Sequence, residues 1–206
     1  MLKKLFLVIG VLISASSFSQ KDTREIIEAN NIEIINIQTD EVYLISIIST
    51  KTSEIKINSH SEGEYFNDIL LSSSIIGDEL KITTNYPQKL AGGYDKLSAH
   101  KVFSLEIELE VPHGMRVNVS SNIASLKTKG PFTSIFAELK GGYCQLLDFS
   151  GDAVINTYSG NIMVETSAGL IEANSRNGKV DIPEILPGRN PLRLTSIDGN
   201  IKVLKN

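Results

Sequence analysis

The C-terminal third of the chain reads GYCQLLDFS (142–150), GDAVINTYS (151–159), GNIMVETSA (160–168), GLIEANSRN (169–177) and GKVDIPEIL (178–186), with a later copy, GNIKVLKN (199–206). Gly142, Gly151, Gly160, Gly169 and Gly178 stand nine residues apart. Two positions after each glycine come Cys144, Ala153, Ile162, Ile171, Val180 and Ile201; four positions after come Leu146, Ile155, Val164, Ala173, Ile182 and Val203. All are small or apolar, and the position between them carries Gln145, Val154, Met163, Glu172, Asp181 and Lys202. This period-two alternation makes each unit a short strand with one buried face. The glycine marks a turn, where the lack of a Cβ admits positive φ.

A strand this short cannot bury its apolar face alone, so stacking copies is what builds a core. Two nine-residue units make a coil of about 18 residues with two opposed sheets. The expected fold is therefore all-β, a single-stranded β-solenoid (β-helix) of nine-residue strand-turn units. A meander of antiparallel hairpins is the competing architecture; the uniform columns favour the solenoid. The period is interrupted between Gly130 and Gly142 and again between Gly178 and Gly199. The second gap contains Pro187, Gly188, Asn190 and Pro191, as an extruded loop would, and Gly130-Pro131 reads as a corner.

Upstream, residues 30–120 keep strand character without the strict period. Expected strands are Ile32–Gln38, Val42–Ser49, Glu54–Asn58, Asp68–Ser74, Glu79–Thr84, Lys101–Val111 and Met115–Ser120. Phe103, Leu105, Ile107 and Leu109 alternate with Ser104, Glu106 and Glu108, which places the glutamates on a solvent face. His60 to Tyr65 reads as a polar turn, and residues 21–30 as a short helix or a disordered leader. Tyr86–His100 (YPQKLAGGYDKLSAH) is a long loop carrying both charge signs. It is the candidate binding loop, with Tyr86, Lys89, Tyr94, Asp95, Lys96 and His100 as its candidate contact residues.

The first residues read as a secretory signal peptide. Lys3 and Lys4 precede an apolar run from Leu5 to Ala15, and Ser17 and Ser19 place cleavage before Gln20. The run is shorter than the roughly 20 residues a membrane span needs, and no other stretch is long and apolar enough. The expected organisation is a signal peptide over 1–19, a leader over 20–29, a β-rich part over 30–120 and glycine-punctuated repeats over 121–206. Export would remove two of the 20 basic residues and leave 24 acidic ones, a net charge of −6.

Composition agrees with this reading. Isoleucine occurs 27 times in 206 residues and alanine 9 times, a bias toward strands. The acidic balance argues against a nucleic-acid partner. The single cysteine, Cys144, occupies a column position and reads as a small buried hydrophobe. No catalytic, cofactor-binding or metal-ligating set is expected. The positions after the glycines include Leu170 and Lys179, which cannot serve a calcium ladder, and His60, His100 and His113 have no paired spacing. Gly-x-Ser-x-Gly, phosphate-loop and dinucleotide motifs are absent from the sequence.

A β-rich first half, a strand ending in Val111-Pro112, then Ser150-Gly151-Asp152 and Ser159-Gly160-Asn161 at short spacing resemble the bacterial putative-adhesin domain family of unknown function, related to autotransporter-adhesin heads. The resemblance spans about residues 30–206 and implies a right-handed β-solenoid in the cell envelope or outside it; no catalytic residues come with it. The expected function is an exported, non-catalytic, adhesin-like binding or scaffolding module. Its partner would be a protein or glycan of the envelope or exterior, met through the 86–100 loop and the outward residues Met163, Glu165, Glu172 and Asn174. A periplasmic structural or envelope-stress accessory is the alternative, and a polysaccharide-active β-helix enzyme a remote one. The column assignment predicts that aspartate at Ile162 or Ile171 unfolds the chain, because a buried unpaired charge costs several kcal/mol, as much as a domain's whole stability; denaturant melts of the two variants test it.

Overall fold

The computed structural model describes residues 20–63, 70–85 and 103–206. Among them are fifteen strands and no helix. The strands are β1 (Gln20–Glu28), β2 (Ile34–Gln38), β3 (Leu44–Thr50), β4 (Glu54–Gly63), β5 (Leu70–Ile76), β6 (Glu79–Asn85), β7 (Phe103–Pro112), β8 (Arg116–Ser121), β9 (Ser125–Leu139), β10 (Cys144–Thr157), β11 (Ile162–Thr166), β12 (Leu170–Ser175), β13 (Val180–Asp181), β14 (Pro191–Ser196) and β15 (Ile201–Lys205). All join one mixed sheet. The seven strands expected upstream of residue 121 each have a counterpart within a few residues. The proposed signal peptide lies outside the described residues.

The two long strands turn this sheet into two arms. The first half of β9 pairs with β3 and the first half of β10, and its second half with β8 and the second half of β10. β9 breaks direction at Gly130-Pro131, where Gly130 has φ +99, and β10 slips register between Leu147 and Asp152. Inward side chains of both arms then meet in one core. Ile45, Ile47, Leu126, Leu146 and Val164 come from one arm, and Ile35, Ile37, Val117, Ile135, Ile155 and Leu194 from the other.

In the repeat region the pairs are parallel, which excludes the hairpin meander there. Leu126, Cys144 and Ile162 align across three neighbouring strands, eighteen residues apart at each step; Val117, Ile135 and Ala153 do the same on the other arm. Successive glycine units thus alternate between arms.

Uniform stacking of nine-residue units does not hold along the whole chain. The last segment, β14 and β15, lies between elements that precede it. Ala153 pairs with Leu192, which pairs with Ile171; Ile162 pairs with Ile201, which pairs with Val180. The units begun by Gly169 and Gly178 are displaced to the sheet edge. Eight of the twelve column residues are buried, but Ile171 and Ala173 are half-buried, and Val180 and Ile182 are exposed. Ile171 therefore cannot carry the aspartate expectation, which rests on Ile162.

The N-terminal part departs in a second way. β2 and β3 sit between the later β6–β7 and β8–β9 segments, all parallel. Beyond them, β4 pairs antiparallel with β7, β1 with β4, and β5 with β6. The stretch 20–29, expected as a leader or short helix, is thus mostly edge strand β1. Its Ile27 packs on the core while its charged residues face water, so the apolar signal was too sparse to read as a strand. His60–Gly63, expected as a turn, continues β4 because it has a ladder partner on each side.

The turns explain the glycines. Gly142, Gly160, Gly199 and Gly178 stack in that order at one corner. A Cβ on Gly160 would overlap the carbonyl oxygen of Gly142, one on Gly199 that of Gly160, and one on Gly178 that of Gly199. Of the four, only Gly142 has positive φ (+76). The others are glycine because the next turn's backbone occupies the Cβ position, not because of their own dihedrals. Hydroxyls three residues earlier, on buried Thr157 and half-buried Ser175, tie the corner together. Thr157 Oγ1 donates to the Gly160 carbonyl (2.9 Å), Ser175 Oγ to the Gly199 carbonyl (2.6 Å), and the Gly178 N–H donates to Ser175 Oγ (2.9 Å). Gly160→Ala is expected to lose more than about 2 kcal/mol of stability, whereas Gly141→Ala, whose Cβ would stand 3.3 Å from the Asn122 carbonyl oxygen, stays within about 1 kcal/mol; urea unfolding of both variants checks the contrast.

Candidate binding face

The candidate loop residues Tyr86, Lys89, Tyr94, Asp95, Lys96 and His100 lie outside the described residues. The outward residues separate. Met163 and Glu165 stand on β11 in one arm, and Glu172 and Asn174 on β12 in the other, because units nine apart alternate between arms. The structure does not bring these two pairs together.

It instead assembles the outer face of the arm built from β1, β4, β7, β3, β9 and β10. Alternation turns every second side chain of each strand outward. β7 contributes Glu106, Glu108 and Glu110, β3 contributes Ser46 and Ile48, β9 contributes Lys127 and Lys129, and β10 contributes Leu147. Register sets these residues in rows. Glu108, Ser46 and Lys127 lie side by side, as do Glu110, Ile48 and Lys129. An acidic ridge and a basic ridge therefore run parallel on either side of β3, about 9–10 Å apart, twice the strand spacing. Between them is a shallow cleft of about 580 Å³ lined by Ser46, Ile48, Glu108, Glu110, Lys127 and Leu147 among others. Ile48 is exposed on its floor.

The ridges differ in how their charges are held. Glu110 accepts from Lys56 Nζ (3.0 Å) and from Thr50 Oγ1 (3.1 Å), and these contacts keep its carboxyl below the usual range. Lys129 Nζ lies 3.4 Å from Asp148. Glu108 and Lys127 have no ion-pair partner among the described residues, so these two charges, facing each other across Ser46, stay open to an incoming group. At the near end, the negative charge of Glu106 raises the pKa of the Tyr43 hydroxyl above its usual value; Tyr43 and Tyr143 are both exposed there.

A second hollow of about 510 Å³ adjoins the first, lined by Asp22, Arg24, Asn58, His60, Glu106 and Glu108 among others. His60 Nδ1 stands 2.6 Å from Asp22 Oδ1 and Nε2 stands 2.9 Å from Glu62 Oε1. Sequence reasoning missed this cluster because Asp22 was assigned to the leader and His60 and Glu62 to a turn. It placed Glu106 and Glu108 on a solvent face but missed the basic ridge opposite, because Lys127 and Lys129 precede the glycine period; their alternation with Leu126 and Thr128 was the available signal. Among the described residues no group of three or more histidine, cysteine or acidic side chains is arranged to hold a metal. Cys144 is buried and its thiol is pushed up to about 12 by desolvation, as suits a core residue. His113 Nδ1 meets Ser49 Oγ at 2.9 Å, and Ser49 in turn donates to the Pro131 carbonyl at 2.6 Å, which pins the β9 corner.

No family model and no curated protein matches this chain. Among solved structures, it is similar to a "putative cell adhesion protein" from Clostridium sporogenes, with a TM-score of 0.67 and 13% identity over 91% of this chain and 100% of that one. At that identity the likeness shows a shared fold. A "putative adhesin" from Bacteroides fragilis matches at TM-score 0.37 and 9% identity over 89% of this chain and 97% of that one. A "putative lipid binding protein" from Parabacteroides distasonis matches at 0.28 and 14%, over 90% and 97%. These two lie too far away to carry an argument.

The His60 cluster has a pH signature. Contacts with Asp22 and then Glu62 raise its pKa from 6.5 to about 9. A pKa raised in the folded state adds stability that is fully present below 6.5 and is lost as pH rises through about 9. The imidazole is expected to titrate near 9 in a proton NMR titration of the native chain. His60→Gln should flatten the corresponding decline of Tm between pH 6.5 and 9; a His60 midpoint at its ordinary 6.5 contradicts the assignment.

Proposed function

We propose that this chain is an exported, non-catalytic binding module, adhesin-like in role, whose stacked strands form a β-solenoid with an irregular N-terminal end. The observation that carries the reading is the cleft between the Glu108 and Lys127 ridges, where unpaired opposite charges flank a half-apolar floor. Charges along each ridge repeat every second residue, about 6.8 Å. A rigid, registered face of this kind suits an extended partner, a protein segment or a glycan of the envelope or exterior, that makes several weak contacts in line. The eighteen-residue parallel register supports the solenoid part of the proposal, and the shared fold with a protein named for cell adhesion supports the role. The sequence over 1–19 supports export, with cleavage before Gln20. The 86–100 loop follows β6 and remains part of the proposed contact surface.

The test is attachment. Beads carrying the chain are applied to a panel of immobilised extracellular proteins and envelope polysaccharides. The native chain is expected to bind at least one surface. Lys127→Glu/Lys129→Glu should weaken that binding roughly tenfold or more, and added salt should weaken the native binding as well. Binding unchanged by the reversal removes the cleft from the reading, and release of sugars or peptides from any surface overturns its non-catalytic part.

A further inference from the structure

The two ends of the strand stack are finished differently. At the N-terminal end the antiparallel strands β1 and β5 close the core with Ile27 and Leu71. At the other end the edge strands β12 and β13 are parallel members of the stack, and no strand among the described residues pairs on their outer side. The core columns end there uncovered. Ile171 and Ala173 are half-buried; Val180 and Ile182 are each 41% exposed, and Leu170 is 58% exposed. Leu186, from the 182–190 connection, covers part of this end, but its neighbour Ile185 stands 81% exposed. Ile171, Ala173, Val180 and Ile182 are the inward positions of the repeat, so the molecule presents the cross-section of its own core to water, with Leu170 and Ile185 beside it. A stack needs a polar cap at such an end, or a partner in place of one.

The charges beside the uncovered column name the partner. In β13, Val180 is followed by Asp181, and Lys179 immediately precedes the strand. Val180 pairs with the buried Ile201 and faces inward, so Lys179 and Asp181 face outward; neither has an ion-pair partner among the described residues. Lys-Val-Asp is self-complementary under a two-fold axis. Antiparallel pairing of β13 with its own copy, centred on Val180, sets each Lys179 against the other chain's Asp181 and places the two valines together. We propose that this end is a homodimer interface, in which two copies join tail to tail through β13 and cover each other's open core. The attachment face lies along the side of the stack, so the inference goes beyond the binding role and is tested apart from it.

The experiment is sedimentation velocity on the exported chain across a concentration series, with circular dichroism as the check on folding. The native chain is expected to dimerise. Asp181→Lys places like charges at both contacts and should weaken association roughly tenfold or more while leaving the dichroism unchanged, since the residue is exposed. Lys179→Asp should do the same alone, and an equimolar mixture of the two variants should restore a dimer, because each then supplies the charge the other lacks. A native chain that stays monomeric throughout overturns the proposal. So does a dimer indifferent to either reversal, or a mixture that fails to associate.

Discussion

The structure depends on how closely one turn can lie upon the next. Parallel strands of neighbouring coils hydrogen-bond at a fixed spacing, and their turns must hold the same spacing. At the corner formed by Gly142, Gly160, Gly199 and Gly178, a carbonyl oxygen of one turn occupies the place where the next residue's Cβ would be. Any side chain there would push the turns apart and pull the ladders out of register on both arms. The hydroxyls of Thr157, Ser175 and Ser196 work with the same constraint, supplying hydrogen bonds to carbonyls of the tightly stacked turns.

From this corner the rest follows in order. Register carries the apolar columns into one core, and the same register carries the outward residues into rows. The charge ridges are a by-product of that alignment: Glu108 and Lys127 are 19 positions apart in sequence, yet each pairs with Ser46. Specific recognition needs charges held in fixed relation, and a hydrogen-bonded ladder provides that without a deep pocket.

Much of the fold was legible. The columns marked Cys144, Leu146, Ile155, Ile162 and Val164 as core, and all are buried. The polar faces of β7 and β11 were equally plain from alternation. What could not be read was the order of stacking. Gly178 and Gly199 open units that look alike, and nothing local says that the Gly199 unit, not the nearer one, lies on Gly160. That choice is made by nonlocal packing, which fills the inner slot with Leu192, Leu194, Ile201 and Val203 and leaves the lysine- and proline-interrupted Gly178 unit outside. The candidate binding face was illegible for a related reason: it joins residues from β1 to β10, and a one-dimensional period shows no neighbours across strands.

The insertion of the last coil has a consequence for how the protein is made. Most stacked proteins can be shortened from one end and lose only their last layer. Here residues 191–206 lie inside the stack, with β12 and β13 resting on them. A chain interrupted before Pro191 would lack its penultimate layer, and the layer outside it would have nothing to rest on. β12 and β13 cannot take their places until residues 191–206 have folded beneath them. A product that stops before Pro191 therefore exposes two unmatched apolar surfaces that residues 191–206 cover from both sides.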